Sequence, residues 1–308
     1  MGRAGCPTIR PASASNSSST KRTRFSKRST TKRTARNPGA TIEVDFTDLL
    51  ANGQAVGRNA GAVVFCFGPL PGERARVRIT AVKRNYTVAT LEGLLTTSPF
   101  RAQPFCPVFG TCGGCQVQHL EYAAQLEWKR DVVRNALRRI GGFPEPDVRP
   151  AVGMAVPRNY RNKMSLVVER RGRDEPPSIG FYRQRSHDVV PIDACPIVAP
   201  QLSEYVARFN AARRVPATAN LFHDARHIVT RSARANGEAV VSVTTAHESK
   251  TVRAAGRALL SELPGAVGIT NSFDVSSENA IVGRRSRLIA GRDVIEETLG
   301  AIRYRVSA

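Results

Sequence analysis

The sequence predicts an α+β protein of 308 residues in three parts. These are a disordered basic N-terminal tail, a small five-stranded OB-like β-barrel, and an antiparallel-sheet α+β domain with a cysteine-ligated cluster. Three observations support this order. Residues 1–40 are rich in Ser, Thr, Lys and Arg, residues 41–100 alternate apolar and polar residues in short runs, and residues 101–308 open with closely spaced cysteines. We expect the domain boundaries near residues 40 and 100.

The positive charge restricts the class of partner. Lys and Arg number 46 against 25 Asp and Glu, which gives a formal net charge of +21. Ten of the basic residues and no acidic residue lie in residues 1–40. The remaining 36 basic and 25 acidic residues give residues 41–308 a formal net charge of +11. This excess predicts a polyanionic partner. We expect nucleic acid and no membrane, because the chain has no apolar run of about 18 residues.

The tail, residues 1–40, has too few large apolar side chains to offset the entropy cost of folding. It is predicted to be disordered and to contact phosphates without sequence preference. Its composition equally fits a segment that only improves solubility. We expect a cytoplasmic protein, although the Arg and Ser content also fits an organellar transit peptide.

Residues 41–97 read as strands of a small closed barrel, with turns at Asn52-Gly53 and near Gly61 and Gly72. One strand alternates cations with apolar residues. Its cationic face is a candidate single-strand binding surface, although such a face is also ordinary solvated surface. The candidates on this face are Arg74, Arg76 and Arg78.

The segment CPVFGTCGGCQVQH has the spacing Cys106-x5-Cys112-x2-Cys115, and glycines between the thiols let the backbone turn tightly. Cys195, which is also followed by proline, is the natural fourth ligand. Four thiolates predict a [4Fe-4S] cluster. Zinc and unligated thiols remain alternatives, although zinc ribbons usually have two C-x2-C pairs. Because six cysteines in 308 residues are few for a disulfide framework, we expect no disulfides and a protein that resides in a reducing compartment.

The segments after the cysteine loop alternate helices and strands. A helix is predicted from Tyr122 to about Ile140, and a hairpin over residues 160–190 returns the chain to the cysteine loop. Gln118 and His119 are expected to hydrogen-bond within the turn rather than bind metal. Basic residues beside aromatic ones in this region are further RNA-binding candidates, although solvated strand edges look the same. They are Arg158, Arg161, Lys163 and Arg183.

The last hundred residues predict two helices and several strand pairs. The helices cover residues 202–212 and 251–263, and a hairpin turns at Asn236-Gly237. Further strand pairs are predicted between residues 266–275 and 280–283, and within residues 292–307 around Gly300.

Six motifs and the dipeptide Cys195-Pro196 carry a resemblance to a known family. The motifs are GQAVGR, PGERARVRI, CPVFGTCGGCQVQH, YAAQLEWKRDVV, YRNKMSLVV and GFYRQRSHDVV. With them, from about residue 41 to its end, the chain resembles the N-terminal portion of the RNA uracil-C5 methyltransferases, and within them the iron-sulfur 23S ribosomal RNA branch. The resemblance implies that the barrel is a TRAM-type RNA-binding domain, and that Cys106, Cys112, Cys115 and Cys195 hold the [4Fe-4S] cluster.

One departure from the family bears on activity. The family's doubly wound domain, which binds S-adenosylmethionine and supplies a nucleophilic cysteine, has no counterpart motif in these 308 residues. Neither Cys6 nor Cys66 is a credible substitute. We therefore expect no catalytic residue and no S-adenosylmethionine binding here, but a truncated, inactive enzyme that acts on ribosomal RNA and requires a separate catalytic domain or chain.

Two other functions stay open. One is a stand-alone RNA-binding protein with a cluster or zinc and no catalysis. The other is a radical methylthiotransferase, which the five-residue first cysteine spacing disfavours. In each case a monomer is expected.

Overall fold

The computed structural model describes residues 37–170, 172, 175–277 and 280–308. The predicted tail, except for its last four residues, lies outside this range. The described chain forms a barrel, a seven-stranded sheet with helices, and a separate two-stranded hairpin. Within the described ranges, no helix is both long and apolar enough to cross a membrane.

The barrel is closed and five-stranded, as predicted. Its strand order is β1-β2-β3-β5-β4, and β3 and β5 pair in parallel while the other neighbours are antiparallel. Alternate side chains fill its interior, so the period-two pattern of the sequence places Ala75, Val77 and Ile79 inside. Cys66 is buried there, as expected for a small hydrophobic residue. The strands are β1 (Thr41–Leu49), β2 (Gln54–Asn59), β3 (Ala62–Phe67), β4 (Arg74–Val82) and β5 (Tyr86–Leu94).

The long helix α1 spans Tyr122–Arg139, close to its predicted bounds. No residue of α1 is fully buried, and both Val133 in the helix and Ile140 just after it are exposed. Instead, Ala124 and Trp128 pack against the barrel core, and the Trp128 indole N–H donates to the Leu49 carbonyl at 3.1 Å. The helix therefore lies on the barrel by the face that carries Ala124 and Trp128.

The second body is a seven-stranded sheet in the order β12-β11-β10-β9-β6-β7-β8, with helices α2 (Pro200–Ala212), α3 (Pro216–Asp224) and α4 (Lys250–Ser261). Buried side chains of the helices and strands form one core, in which Tyr205, Phe209 and Phe222 are among the largest. The strands are β6 (Lys163–Glu169), β7 (Ser178–Tyr182), β8 (Val189–Pro191), β9 (Ala225–Ser232), β10 (Ala239–Thr245), β11 (Ala266–Phe273) and β12 (Arg285–Gly291).

Two predictions about this sheet were wrong. It is mixed rather than purely antiparallel, because the α4 crossover brings β11 alongside β10 in parallel. Residues 280–283 were expected to pair with β11, but β12 does so instead, from Gly291 to Arg285. Helix α3 was not predicted at all. Its nine residues are too few to show a clear helical period, and its start is marked only by Pro216.

The chain ends in an antiparallel hairpin of β13 (Val294–Leu299) and β14 (Ile302–Ser307), as predicted, with Gly300 at φ +60° in the turn. Ile295 packs on Ala233 and Val240, so one face of the hairpin contacts the sheet.

Candidate metal centre and nucleic-acid interface

Four cysteines line one cavity between the loop that precedes α1 and the sheet body. Three come from the loop that precedes α1, and Cys195 comes from the segment between β8 and α2. The Cys112 N–H donates to the Val108 carbonyl at 2.9 Å, and the Cys195 N–H donates to the Ser203 hydroxyl at 3.0 Å. Chain segments that are far apart in sequence thus present thiols to the same space. The thiols are Cys106, Cys112, Cys115 and Cys195.

Hydrogen bonds join the cysteine loop to the end of β7. The Gly113 N–H donates to the Tyr182 carbonyl at 2.9 Å, and the Gln184 N–H donates to the Thr111 carbonyl at 3.3 Å. A Cβ on Gly113 would lie 3.0 Å from the Tyr182 carbonyl oxygen. Glycine is therefore needed at this position because the two backbones approach closely.

Three of the four thiols are weaker acids than an exposed cysteine. Burial raises the pKa of Cys112, Cys115 and Cys195, and the neighbouring Cys106 adds to each rise. Among the described residues, no three His, Cys, Asp or Glu side chains are close enough together to hold a metal ion as they stand. The donor set of four thiols in a largely apolar cavity nevertheless fits both an iron-sulfur cluster and zinc, because each takes four thiolates.

The loop residues Gln118 and His119 behave differently from each other. The Gln118 side-chain oxygen accepts a hydrogen bond from the Cys106 N–H at 3.3 Å, as expected of a residue that supports the turn. His119 was expected to do the same, but it is only 3% exposed and neither ring nitrogen has a hydrogen-bond partner of normal geometry among the described residues. Burial, and to a smaller extent the charge of Arg101, lowers its pKa to about 4, so the imidazole is neutral at pH 7.

The three barrel arginines point outward from β4, and each faces an acidic side chain. Arg74 lies 2.8 Å and Arg76 3.9 Å from carboxylate oxygens of Glu43. Arg78 lies 2.5 Å from Glu92. All three are about half exposed, so the ion pairs are weak and the cations remain accessible to an anion.

A second basic group lies near the cysteine cavity. Arg161 lines the cavity, and its charge lowers the pKa of the Cys115 thiol against the dominant effect of burial. Arg183 forms a β-bridge with Cys112, and the Arg158 guanidinium lies 4.4 Å from the centre of the Phe105 ring. Lys163 starts β6, opposite Arg231 of β9. The structure thus places Arg158, Arg161 and Arg183 near the cavity, and Arg74, Arg76 and Arg78 on the barrel.

Arg185, which was not among the predicted RNA-binding residues, contacts the barrel. Its guanidinium lies 4.7 Å from the centre of the Phe67 ring at the end of β3, so this residue connects the sheet body to the barrel. Its backbone has φ +59°, which is unusual for a residue other than glycine. The basic-aromatic pattern beside Tyr182 pointed to this turn, but no sequence signal identifies Phe67 as its partner.

Comparison with known proteins agrees with this architecture. Residues 35–91 match the TRAM domain family. The chain is 33% identical over 278 residues to an uncharacterized RNA methyltransferase of Gloeobacter violaceus, and 36% identical over 276 residues to one of Nostoc sp.. Each alignment covers 87% of this chain, but only 60% and 59% of the relative. The chain is therefore homologous to RNA methyltransferases over most of its own length and spans about three fifths of theirs.

A solved structure shares the fold. It is the crystal structure of Pyrococcus abyssi tRNA (uracil-54, C5)-methyltransferase in complex with S-adenosyl-L-homocysteine. The TM-score is 0.60 at 22% identity, over 86% of this chain and 59% of that one. Because the alignment crosses both the barrel and the sheet, the two-body architecture is shared.

Proposed function

We propose that this chain is the RNA-binding, cluster-carrying part of an S-adenosylmethionine-dependent RNA uracil-C5 methyltransferase. One observation carries the proposal: the similarity to RNA methyltransferases runs through the barrel, the cysteine loop and the sheet, over 87% of the chain. A match to the TRAM domain and an excess of basic residues support RNA as the partner. Ribosomal RNA is the proposed substrate class.

The proposed RNA contacts are the barrel arginines and the basic group near the cysteine cavity. Their cationic groups suit phosphates, and the Arg158 guanidinium held over the Phe105 ring adds a surface for base stacking. Binding of single-stranded ribosomal RNA fragments, measured by filter retention or fluorescence anisotropy, tests this. Affinity should fall steeply as salt rises, because phosphate contacts release counterions. The proposed contacts are Arg74, Arg76, Arg78, Arg158, Arg161, Lys163 and Arg183.

We propose that the four cysteines hold a [4Fe-4S] cluster that fastens the cysteine loop to the segment before α2. The cluster would supply a positive iron centre that stabilises the thiolates, while the protein supplies the apolar walls and Arg161. Anaerobic purification followed by iron and zinc analysis tests this. About four irons per chain with a broad visible absorption would support the cluster. One zinc per chain and no visible absorption would show that the cysteines form a zinc site instead.

We also propose that these 308 residues bind RNA without methylating it. The described residues form a barrel and a mixed sheet with a single parallel pair, β10 and β11, in place of the doubly wound sheet that suits S-adenosylmethionine. Incubating the chain with radiolabelled S-adenosylmethionine and unmodified ribosomal RNA is the test. Robust methyl transfer by the chain alone would show that these residues hold a complete active site.

A further inference from the structure

A cleft of about 520 Å³ opens between the barrel and the cysteine loop, and the cysteine cavity and this cleft share Cys112 and Cys115 as wall residues. The barrel contributes Phe67 and Thr90, the cysteine loop contributes Phe109, and the turn after β7 contributes its arginines. This volume is within the range of small-ligand sites, which is about 300–1,000 Å³. The cleft is thus large enough for one nucleotide.

Positive charge lines one side of this cleft. Arg183 and Arg185 are both exposed. Arg183 has Asp188 as its ion-pair partner, at 4.0 Å, and among the described residues Arg185 has no carboxylate within ion-pair distance. Arg185 is held over the Phe67 ring in a left-handed backbone conformation. A guanidinium held over an aromatic ring offers a surface on which a base stacks, and its charge attracts phosphate.

The buried wall of the cleft contains a polar group whose hydrogen bonding is incomplete among the described residues. His119 lines the cleft, and its ring lies 5.2 Å from that of Phe109. Neither ring nitrogen makes a hydrogen bond of normal geometry to the described residues, and the Gly68 backbone, which raises the pKa of the imidazole, is a weak partner at most. Buried polar groups in native proteins are normally hydrogen-bonded, so an incompletely hydrogen-bonded imidazole beside an open cleft indicates a ligand with a polar edge. A neutral imidazole offers one donor and one acceptor, which suits the edge of a nucleobase.

We infer that this cleft holds one unstacked base of a single-stranded RNA. Arg185 on Phe67 forms the stacking surface, Arg183 and Arg185 bind the flanking phosphates, and His119 meets the polar edge of the base. This inference rests on the proposed RNA-binding function and assigns that function a specific base pocket. The cation-bearing face of β4, with Arg74, Arg76 and Arg78, then acts as a separate phosphate contact.

The test uses the full chain and a single-stranded RNA of roughly ten nucleotides that carries 2-aminopurine at one position. Anisotropy gives the affinity and its salt dependence, and 2-aminopurine fluorescence reports stacking, with the label moved along the RNA. Arg185→Gly removes the guanidinium and suits the left-handed backbone, so this variant is expected to fold. It should weaken binding roughly tenfold and reduce the salt slope by about one.

Matched variants separate stacking from charge. Arg185→Lys should keep the salt slope but lose the fluorescence change at the position that stacks, and Phe67→Leu should lose the same signal. Arg257→Ala removes an exposed arginine from α4, a helix that packs on α3, β11 and β12, and should bind like the unaltered chain.

Two outcomes would overturn the inference, and they are distinguishable. If Arg185→Gly and Phe67→Leu bind with unchanged affinity and fluorescence, the base pocket is wrong while RNA binding stands. If the unaltered chain binds no RNA, the proposed function fails and the pocket fails with it.

Discussion

Arg101 donates two hydrogen bonds to the Glu73 carboxylate, at 2.6 Å from Nε to Oε1 and 2.7 Å from Nη2 to Oε2. The Glu73 side chain is fully buried, and it also accepts hydrogen bonds from the N–H groups of Leu70 and Ser98. Arg101 follows the barrel in the chain and donates to the Gly68 carbonyl as well, at 2.7 Å. This pair therefore fastens the segment leading to the cysteine loop onto the barrel.

The first prediction concerns the stability that this pair provides. Glu73→Ala leaves Arg101 without its carboxylate and two N–H groups without acceptors, so the free energy of unfolding should fall by about 3 kcal/mol. Urea unfolding followed by circular dichroism measures the change. Glu43→Ala is the control, since Glu43 forms an exposed pair with Arg74. It should change stability by less than about 1 kcal/mol. Equal effects of the two substitutions would contradict the prediction.

The second prediction concerns the pH dependence of stability. Burial lowers the pKa of His119 to about 4, whereas the unfolded chain has a value near 6.5. The folded state therefore favours the neutral ring. The contribution of this ring to the free energy of unfolding is fully present above pH ~6.5 and is lost as the pH falls towards about 4. Between these values the free energy of unfolding should drop by an amount on the order of 3 kcal/mol.

His119→Leu should remove most of this pH dependence, because the leucine cannot be protonated. Urea titrations at several pH values between these limits provide the measurement. His187→Leu, at an exposed position beside Tyr182, is the control for replacing a histidine by leucine at the surface. An identical slope in unaltered protein and His119→Leu would refute the assignment.

The third prediction concerns glycine in the barrel. A Cβ at Gly57 on β2 would collide with the Val44 side chain and would lie 2.6 Å from the Asp45 carbonyl oxygen. Gly57→Ala should therefore destabilise the protein by about 1–3 kcal/mol. Gly93→Ala on β5 is the matched control, because nothing lies within 4 Å of its added Cβ. Thermal unfolding should separate the two variants, and a Gly57→Ala protein as stable as Gly93→Ala would show that the barrel relaxes freely.

The fourth prediction concerns metal content. Cys195→Ser removes one of four thiols from the cysteine cavity and should lower bound metal several-fold, with loss of any visible absorption. Cys66 lies in the barrel core, where burial raises the pKa of its thiol to about 12. Cys66→Ala should therefore keep the full metal content, although it costs some stability. Metal analysis that finds the same content in the Cys195→Ser and unaltered proteins would exclude Cys195 as a ligand.

The sequence by itself determined the elements whose patterns are local. The alternation of apolar and polar residues predicted the barrel strands and the outward arginines of β4. The Cys112-x2-Cys115 spacing predicted the cysteine loop, and Asn236-Gly237 predicted a hairpin. Each of these patterns involves residues that are neighbours along the chain. Only the tertiary structure decided which segments meet: β11 beside β10, Trp128 on the barrel, Arg185 over Phe67 and Glu73 against Arg101. Such contacts depend on how whole elements pack, so no short stretch of residues specifies them.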